Sequence, residues 1–246
     1  MNKNIIFGTR PVIEAIEAGR PIDKVLIKKG ADGPQMQRLR EMCKIHRIQV
    51  QEVPVEKLNR LTRNANHQGV AAQASAIDYA EISEVVDDIQ SKGEVPLIVV
   101  FDGVTDVRNF GGIARSAECA GAQALVVPVK NAAPVNADAI KTSAGALNVI
   151  PVCRVGSIRN TLRYLQEQGM QVVAATEKSN TLLYEADFKK PTVLVMGSED
   201  TGISKEVLKM CDVRLAIPLM GTIESLNVAA AAAVMLFEVV RQRKEL

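Results

Sequence analysis

The chain has no tryptophan, only 3% aromatic residues, four cysteines in 246 residues and no long unbroken apolar run. Each shortage removes a class of protein. Cys43, Cys119, Cys153 and Cys211 form no C-x-x-C pair, and His46 and His67 are the only histidines, so neither a metal site nor a disulfide framework is expected. The thiols read as reduced, small packing groups of a cytoplasmic protein. The opening stretch offers only the apolar run Ile5 to Phe7, too short for the core of a signal peptide. The longest apolar stretch, Val228 to Phe237, is ended by Glu238 and falls short of the ~20 residues a membrane span needs. A soluble protein with no membrane partner is expected. Also missing are a G-x-G-x-x-G turn after a strand and a G-x-x-x-x-G-K-[ST] loop, which weakens a dinucleotide-binding or P-loop reading.

What is present is enough apolar residue, 47%, for one large α/β domain or two ordinary ones, and the pattern favours two. Net charge is only +2, but it is unevenly spread: residues 1–75 hold 13 Lys+Arg against 7 Asp+Glu, and the remainder is net negative. The basic third could attract phosphates, or could be an ordinary solvated surface. Residues 1–77 read as a compact α/β unit, with helices at Pro11 to Ala18 and Gln35 to His46 and strands at Lys24 to Lys28, Ile48 to Val53 and Gly69 to Ala74. The acidic stretch 78–94 reads as a linker with a short helix of its own.

From residue 95 to 246 the pattern changes to short, almost continuous apolar strands, at Leu97 to Phe101, Ala124 to Val127, Gln171 to Ala175, Val193 to Met196 and Val213 to Ile217. Helices fill the gaps, so a mostly parallel sheet covered on both faces is predicted. The last helix, Ser225 to Arg243, has small apolar residues at Ala229 to Ala233 on every side. It should be buried all round, either within one core or against a second copy of the chain.

A parallel α/β sheet binds ligands beyond the carboxyl ends of its strands. Three polar loops stand there. Asp102 to Arg115 runs from a strand into a helix and carries Asn109, Arg115 and the helix-weakening pair Gly111 and Gly112; Asn109 as a helix cap and Arg115 as a solvated residue would account for it equally well. Val195 to Gly202 is a Gly-bounded turn containing Glu199. Ile217 to Asn227 carries exposed-looking apolar residues and then Ser225, a plausible N-cap, with Asn227 inside the first turn.

Taken in order, Asn109-x-Gly111-x-x-x-Arg115, Gly197-x-Glu199-x-x-Gly202 and Ile217-Pro218 through Glu224-Ser-Leu-Asn227 resemble the three signature motifs of the SpoU/TrmH family of SPOUT methyltransferases. The segment Lys141-Thr-Ser-Ala-Gly-Ala146 is similar too. Gly8-Thr-Arg-Pro-Val-Ile-Glu-Ala15 with Asn66-His-Gln-Gly-Val70 resembles the L30e-like substrate-binding domain of that family. Asp200 stands where members commonly have Gly, which would stiffen or recharge the second loop. The nearest subgroup is that of the bacterial 23S ribosomal RNA guanosine 2′-O-methyltransferases, with transfer RNA as the alternative substrate.

That resemblance implies a SPOUT fold with a trefoil knot and S-adenosylmethionine as methyl donor, without a metal, while the all-apolar last helix near the chain terminus points to a homodimer joined through it. It also implies that Thr176, Gly197, Ile217, Leu219 and Leu226 line the cofactor pocket, and that Arg115, Asn109, Glu199, Ser225 and Asn227 carry the chemistry. Guanidinium stays protonated in proteins, so Arg115 is expected to stabilise a developing alkoxide, held by Asn109 or a phosphate, rather than to act as a base. With few aromatics for stacking, structured RNA would be met through shape and through phosphate contacts from Arg10, Lys28, Lys29, Arg60 and Arg63. A non-catalytic RNA-binding protein on the same scaffold, opposed by the intact motifs, and a dinucleotide-dependent oxidoreductase are the competing readings.

Overall fold

The computed structural model describes residues 5–244, so the first four residues of the stretch read for a signal peptide lie outside it. The chain divides into two compact units: residues up to Asp78 with Pro134–Asn136, and Tyr79–Ala133 with the chain from Ala137 onward.

In the first unit, β1 (Ile5–Phe7), α1 (Thr9–Glu17), β2 (Ile22–Lys28), α2 (Pro34–Ile45), β3 (Gln49–Val53), α3 (Val55–Thr62) and β4 (Val70–Ala74) form a mixed sheet ordered β1-β4-β2-β3. Only β2 and β3 run parallel. Val12, Ile16 and Leu39 bury the helical stripes of α1 and α2 against Val25, Ile27 and Val70 on one face. Leu58 of α3 covers Leu26 and Ala71 on the other. Neither β1 nor α3 was expected from the sequence. A three-residue strand shows no alternation to read, and α3 buries only Leu58 and Thr62.

The second unit holds α4 (Ile82–Ser91), β5 (Leu97–Asp102), α5 (Val107–Cys119), β6 (Ala124–Pro128), α6 (Ala137–Thr142), β7 (Val152–Val155), α7 (Ile158–Glu167), β8 (Gln171–Ala175), β9 (Thr192–Gly197), α8 (Lys205–Leu208), β10 (Val213–Leu215) and α9 (Val228–Lys244). Its strands make one sheet ordered β10-β8-β9-β5-β6-β7, and every pairing is parallel. Side chains alternate across it. Ile98 and Val100 of β5 pack with Val86, Leu162 and Val207 from α4, α7 and α8, while Phe101, next along the strand, meets Phe110 of α5 edge-on at 5.0 Å. Both faces are therefore covered, which is why these strands read as continuous apolar runs.

One expectation is corrected. The stretch 78–94 is no free linker: Val86 and Ile89 of α4 are buried, and Ala80 bridges to Cys153 beside β7. Its acidic residues lie on the outer side of an amphipathic helix, and composition alone hid the inner one. Within one chain α9 is buried on one side only, which excludes burial in a single core and leaves a second copy as the means of covering the rest. Val228, Ala232, Met235, Leu236 and Val239 are buried within the chain, whereas Ala230, Val234 and Phe237, on the opposite face, are exposed.

The far end of α9 is tied down by one cation. Arg243 donates to the carbonyls of Phe188 at 3.0 Å, Val95 at 2.8 Å, Pro96 at 2.8 Å and Lys190 at 3.1 Å. Half-burial without a carboxylate holds its pKa below the usual guanidinium value. The planar fork satisfies the carbonyls that precede β5 and β9, so the helix end and the sheet start are fixed together. Arg243→Ala should lower unfolding stability by roughly 1.5–3 kcal/mol, the usual range for a hydrogen bond to a charged group. Arg243→Lys should recover only part of that loss, as read by chemical denaturation.

Candidate functional site

Register places the three loops side by side. Asp102 pairs with Gly197, and Pro128 pairs with Val155. Counting two residues on from Val100↔Val126 brings Asp102 level with Pro128. Two positions beyond Ala174↔Val195 bring Thr176 level with Gly197, and one position beyond Leu215↔Ala175 brings Ala216 level with Thr176. A single row thus crosses the carboxyl edge of the sheet, and Asn109, Glu199, Ile217 and Asn227 all lie in chain that leaves it.

The second loop turns back sharply. Ser198 and Gly202 exchange backbone hydrogen bonds at 3.1 and 2.9 Å, and a Cβ built on Gly197 would sit 2.3 Å from the carbonyl carbon of Gly202. No other residue fits there without opening the loop. The Asp102 carboxylate accepts the Ser204 N–H at 2.7 Å, which pins the end of this loop to β5. In the first loop Asp106 is the N-cap of α5, accepting from the N–H groups of Arg108 and Asn109 at 2.8 and 3.0 Å. The bond from Asn109, more than the one from Arg108, holds the Asp106 carboxyl below its usual range. Its support of the helix start is present above the ordinary carboxylate range and is lost as pH falls through the lowered value. Capping by Asp106 leaves the Asn109 side chain free for other work. Gly111 lets α5 approach the residues beside it: a Cβ there would meet Thr142 at 2.7 Å, in the segment Lys141 to Ala146 singled out by its sequence. Gly112 faces Ala229 of α9 in the same way, at 3.2 Å.

The loops meet through three side chains. Asn109 Nδ2 donates to Glu199 Oε2 at 2.7 Å. Asn227 Nδ2 donates to Glu199 Oε1 at 2.6 Å and to Asn109 Oδ1 at 3.0 Å. Asn227 Oδ1 in turn accepts from the N–H groups of Ala229 and Ala230, at 2.9 and 3.4 Å. Asn227, not Ser225, is therefore the N-cap of α9, and it lies before the first turn rather than inside it. Both residues are good caps; the bonds to the other two loops decide between them.

The remaining expected residues are placed less tightly. Thr176 follows β8, its N–H bonded to the carbonyl of Leu215 at 2.9 Å. Ile217 is half-buried, and Leu219 and Leu226 are exposed. Ser225 is exposed and makes no hydrogen bond among the described residues. Arg115 is also exposed, and it makes no hydrogen bond or ion pair among the described residues. Asn109 does not hold it, because the Asn109 amide is occupied by Glu199 and Asn227. Six residues of helix turn Arg115 some 120° away from Asn109.

Three of the four thiols are unsuited to nucleophilic catalysis. Burial pushes the thiols of Cys153 and Cys211 up to about 12 and that of Cys43 up to about 11, so all three are neutral at physiological pH. Among the described residues no group of His, Cys, Asp and Glu could hold a metal ion, and no helix is long and apolar enough to cross a membrane. The arrangement can bind, orient and stabilise charge. Sequence reasoning missed Asp106 and Asp102 as the residues that hold the loops; a carboxylate at a strand end and another just before a helix were the available signals.

Known proteins resemble the chain along almost its whole length. The SpoU rRNA Methylase family model matches residues 96–237, and a model for RNA 2′-O ribose methyltransferase substrate binding matches residues 5–80. A 23S rRNA (guanosine-2′-O-)-methyltransferase of Vibrio parahaemolyticus is 34% identical over 245 residues, covering 99% of this chain and 98% of the relative. An uncharacterised tRNA/rRNA methyltransferase of Synechocystis is 35% identical over 241 residues; these cover 98% of this chain, which spans only 63% of that relative's length. The crystal structure of the SpoU methyltransferase AviRb from Streptomyces viridochromogenes, in complex with AdoMet, superposes with a TM-score of 0.63 at 27% identity, covering 98% of this chain and 91% of that one.

Asn227 serves two purposes that substitution can separate. Asn227→Ala removes the cap and should cost about 1–2 kcal/mol of stability. Asn227→Ser restores a capping oxygen but not the bonds to Glu199 and Asn109, so thermal denaturation should show most of the loss recovered.

Proposed function

The chain belongs to the SpoU rRNA methylase family, and from that premise we propose that it transfers a methyl group from S-adenosylmethionine to a ribose 2′-hydroxyl of structured RNA, in the cytoplasm, with a guanosine of 23S ribosomal RNA as target. The observation that carries the reading is the hydrogen-bonded meeting of Asn109, Glu199 and Asn227, three motif residues up to 118 positions apart, at the carboxyl edge of a parallel sheet. The 23S guanosine is supported by the Vibrio relative, which matches along almost its whole length.

The residues at this edge fit the proposed donor. Residues 217–226 make no hydrogen bond among the described residues, so their backbone N–H and C=O groups are available to an adenine edge. Leu219, Ile223 and Leu226 are exposed apolar groups that could cover its faces. Gly197 and Thr176 stand on the row next to them. When bound, S-adenosylmethionine supplies an electrophilic methyl group on a sulfonium. The knot expected of this family would be formed as the chain passes from β10 through 217–226 into α9.

The protein's own part is positioning, which can supply ~7 to 11 kcal/mol when the reacting atoms are aligned. Glu199, fixed by two amides, sets the edge of the pocket against which the ribose is held. Arg115 leaves α5 about 120° round from Asn109, so its long, unpaired side chain must reach back round the helix to stabilise the hydroxyl oxygen as negative charge develops on it, while the proton passes to solvent. Ser225, next to the cofactor loop, completes the polar rim. The first unit, matched by the substrate-binding model, supplies RNA contacts through Arg10, Lys28, Lys29, Arg60 and Arg63. The outer face of α9, with Ala230, Val234 and Phe237, is the surface of a homodimer; a second copy would cover it as the sequence pattern anticipates.

Calorimetry with S-adenosylmethionine and transfer of labelled methyl to 23S rRNA from cells lacking this gene test the activity. Label entering transfer RNA instead would overturn the target. Arg115→Ala should lower kcat by about 10²–10³-fold, and Arg115→Lys should retain part of the activity with an unchanged pH profile. A new ionisation that tracks the lysine would show base catalysis and sink the electrostatic role.

A further inference from the structure

The second unit must receive a polyanion, yet its acidic residues outnumber its lysines and arginines. Many of its surface cations are already neutralised: Lys92 by Asp88, Lys178 by Glu177, Lys190 by Asp187 and Arg241 by Glu238. Lys130, Arg159 and Arg163 differ. All three are exposed, and none makes a hydrogen bond or ion pair among the described residues.

Their placement follows from the same register that locates the motif loops. Pro128 and Val155 pair as the last residues of β6 and β7, and Val129 N–H bonds to the carbonyl of Val155 at 3.0 Å. Lys130 lies two residues beyond that row. Gly156 and Ser157 follow Val155, and Ser157 Oγ caps α7 by accepting the Asn160 N–H at 3.3 Å. Arg159 is therefore in the first turn of α7, and Arg163 is one turn further along its outer side, since Ile158, Thr161, Leu162 and Leu165 take the inner one. Lys130 and Arg159 thus leave the same edge as Asp102 and Gly197, from the two strands on the side of β5 away from β9. Arg108, next to Asn109 at the start of α5, has Asp106 at 3.7 Å as its partner.

We propose that Lys130, Arg159 and Arg163 form a phosphate-binding strip on the second unit, which holds the RNA backbone flanking the target nucleotide while its ribose is presented to Asn109 and Glu199. The inference rests on the RNA-methyltransferase reading and deepens it: it assigns part of the substrate grip to the methyl-transferring unit itself. The strip is sequence-independent. Cations on long stems meet phosphates without reading bases, and they offset the repulsion that a net-negative surface imposes near the reacting oxygen. The apolar backing of α7 holds the two arginines on one line, so their spacing is set by the helix.

The test is a triple charge reversal, Lys130→Glu with Arg159→Glu and Arg163→Glu, assayed on 23S rRNA from cells lacking the gene and by filter binding of the same RNA from low to high salt. The KM for RNA should rise about tenfold or more, with kcat at saturating RNA and the calorimetric affinity for S-adenosylmethionine unchanged. The slope of log affinity against log salt should become shallower by roughly two, as expected for three lost contacts to single-stranded phosphates. Unchanged RNA affinity and salt slope in the triple variant would overturn the strip. Should the triple variant lose its cofactor affinity or its melting transition, the single neutral variants Arg159→Gln and Arg163→Gln decide the matter: each should make the slope shallower, and two unaltered slopes reject the proposal. A wild-type protein that transfers no methyl to any RNA contradicts the functional reading instead, and the filter-binding slopes still judge the strip.

Discussion

The second unit's working edge depends on one carboxylate shared by two amides. Glu199 accepts from Asn109 on one oxygen and from Asn227 on the other, and a charge-assisted bond of this kind is roughly twice as strong as a neutral one. Both hydrogens of the Asn227 amide are used, and its oxygen caps α9, so every polar group of that side chain is paired. The first loop comes from β5, the second from β9 and the third from beyond β10. Without this contact they would be three separate turns; with it, their backbones are held in one place.

Glycines make the contact reachable. Gly197 allows the second loop to fold back within 2.3 Å of where a Cβ would stand, and Gly111 and Gly112 allow α5 to lie close to Thr142 and Ala229. Glycine costs helix stability, and the pair persists in α5 because the adjoining segments occupy the space that side chains would take. The local penalty is the condition for bringing Asn109 beside Asn227. Asp106 and Asp102 then fix the loop ends, one by capping α5 and the other by holding Ser204.

Much of this was legible in the sequence for a physical reason. Strands buried on both faces announce themselves as apolar runs, so the polar loops beyond Asp102, Met196 and Leu215 could be placed at one edge before any coordinates. The failures have reasons as well. Val152–Val155 was not read as a strand because four residues with an arginine among them carry no pattern. The acidic outer face of α4 masked Val86 and Ile89. Ser225 and Asn227 are equally good caps on local grounds, and only the distant partners Glu199 and Asn109 settle which one starts α9. Arg115 was expected to be held by Asn109 or by a phosphate, and helical phase removes the first: six residues turn the two side chains to different sides of α5, and the asparagine is already engaged.

The position of Asn227 links the site to the rest of the fold. Because this residue both starts α9 and holds Glu199, any displacement of the helix along its axis moves the second loop, and any ligand that reorients Glu199 pulls on the helix start. The opposite end cannot absorb such a shift, since Arg243 binds four carbonyls ahead of β5 and β9. The helix is thus fixed to the amino edge of the sheet at one end and to the working edge at the other. Its exposed apolar face, with Val234 and Phe237, lies between those two anchors. A second chain packing on that face would press on an element that cannot slide, and its effect would be to hold the site's geometry in place rather than to change it.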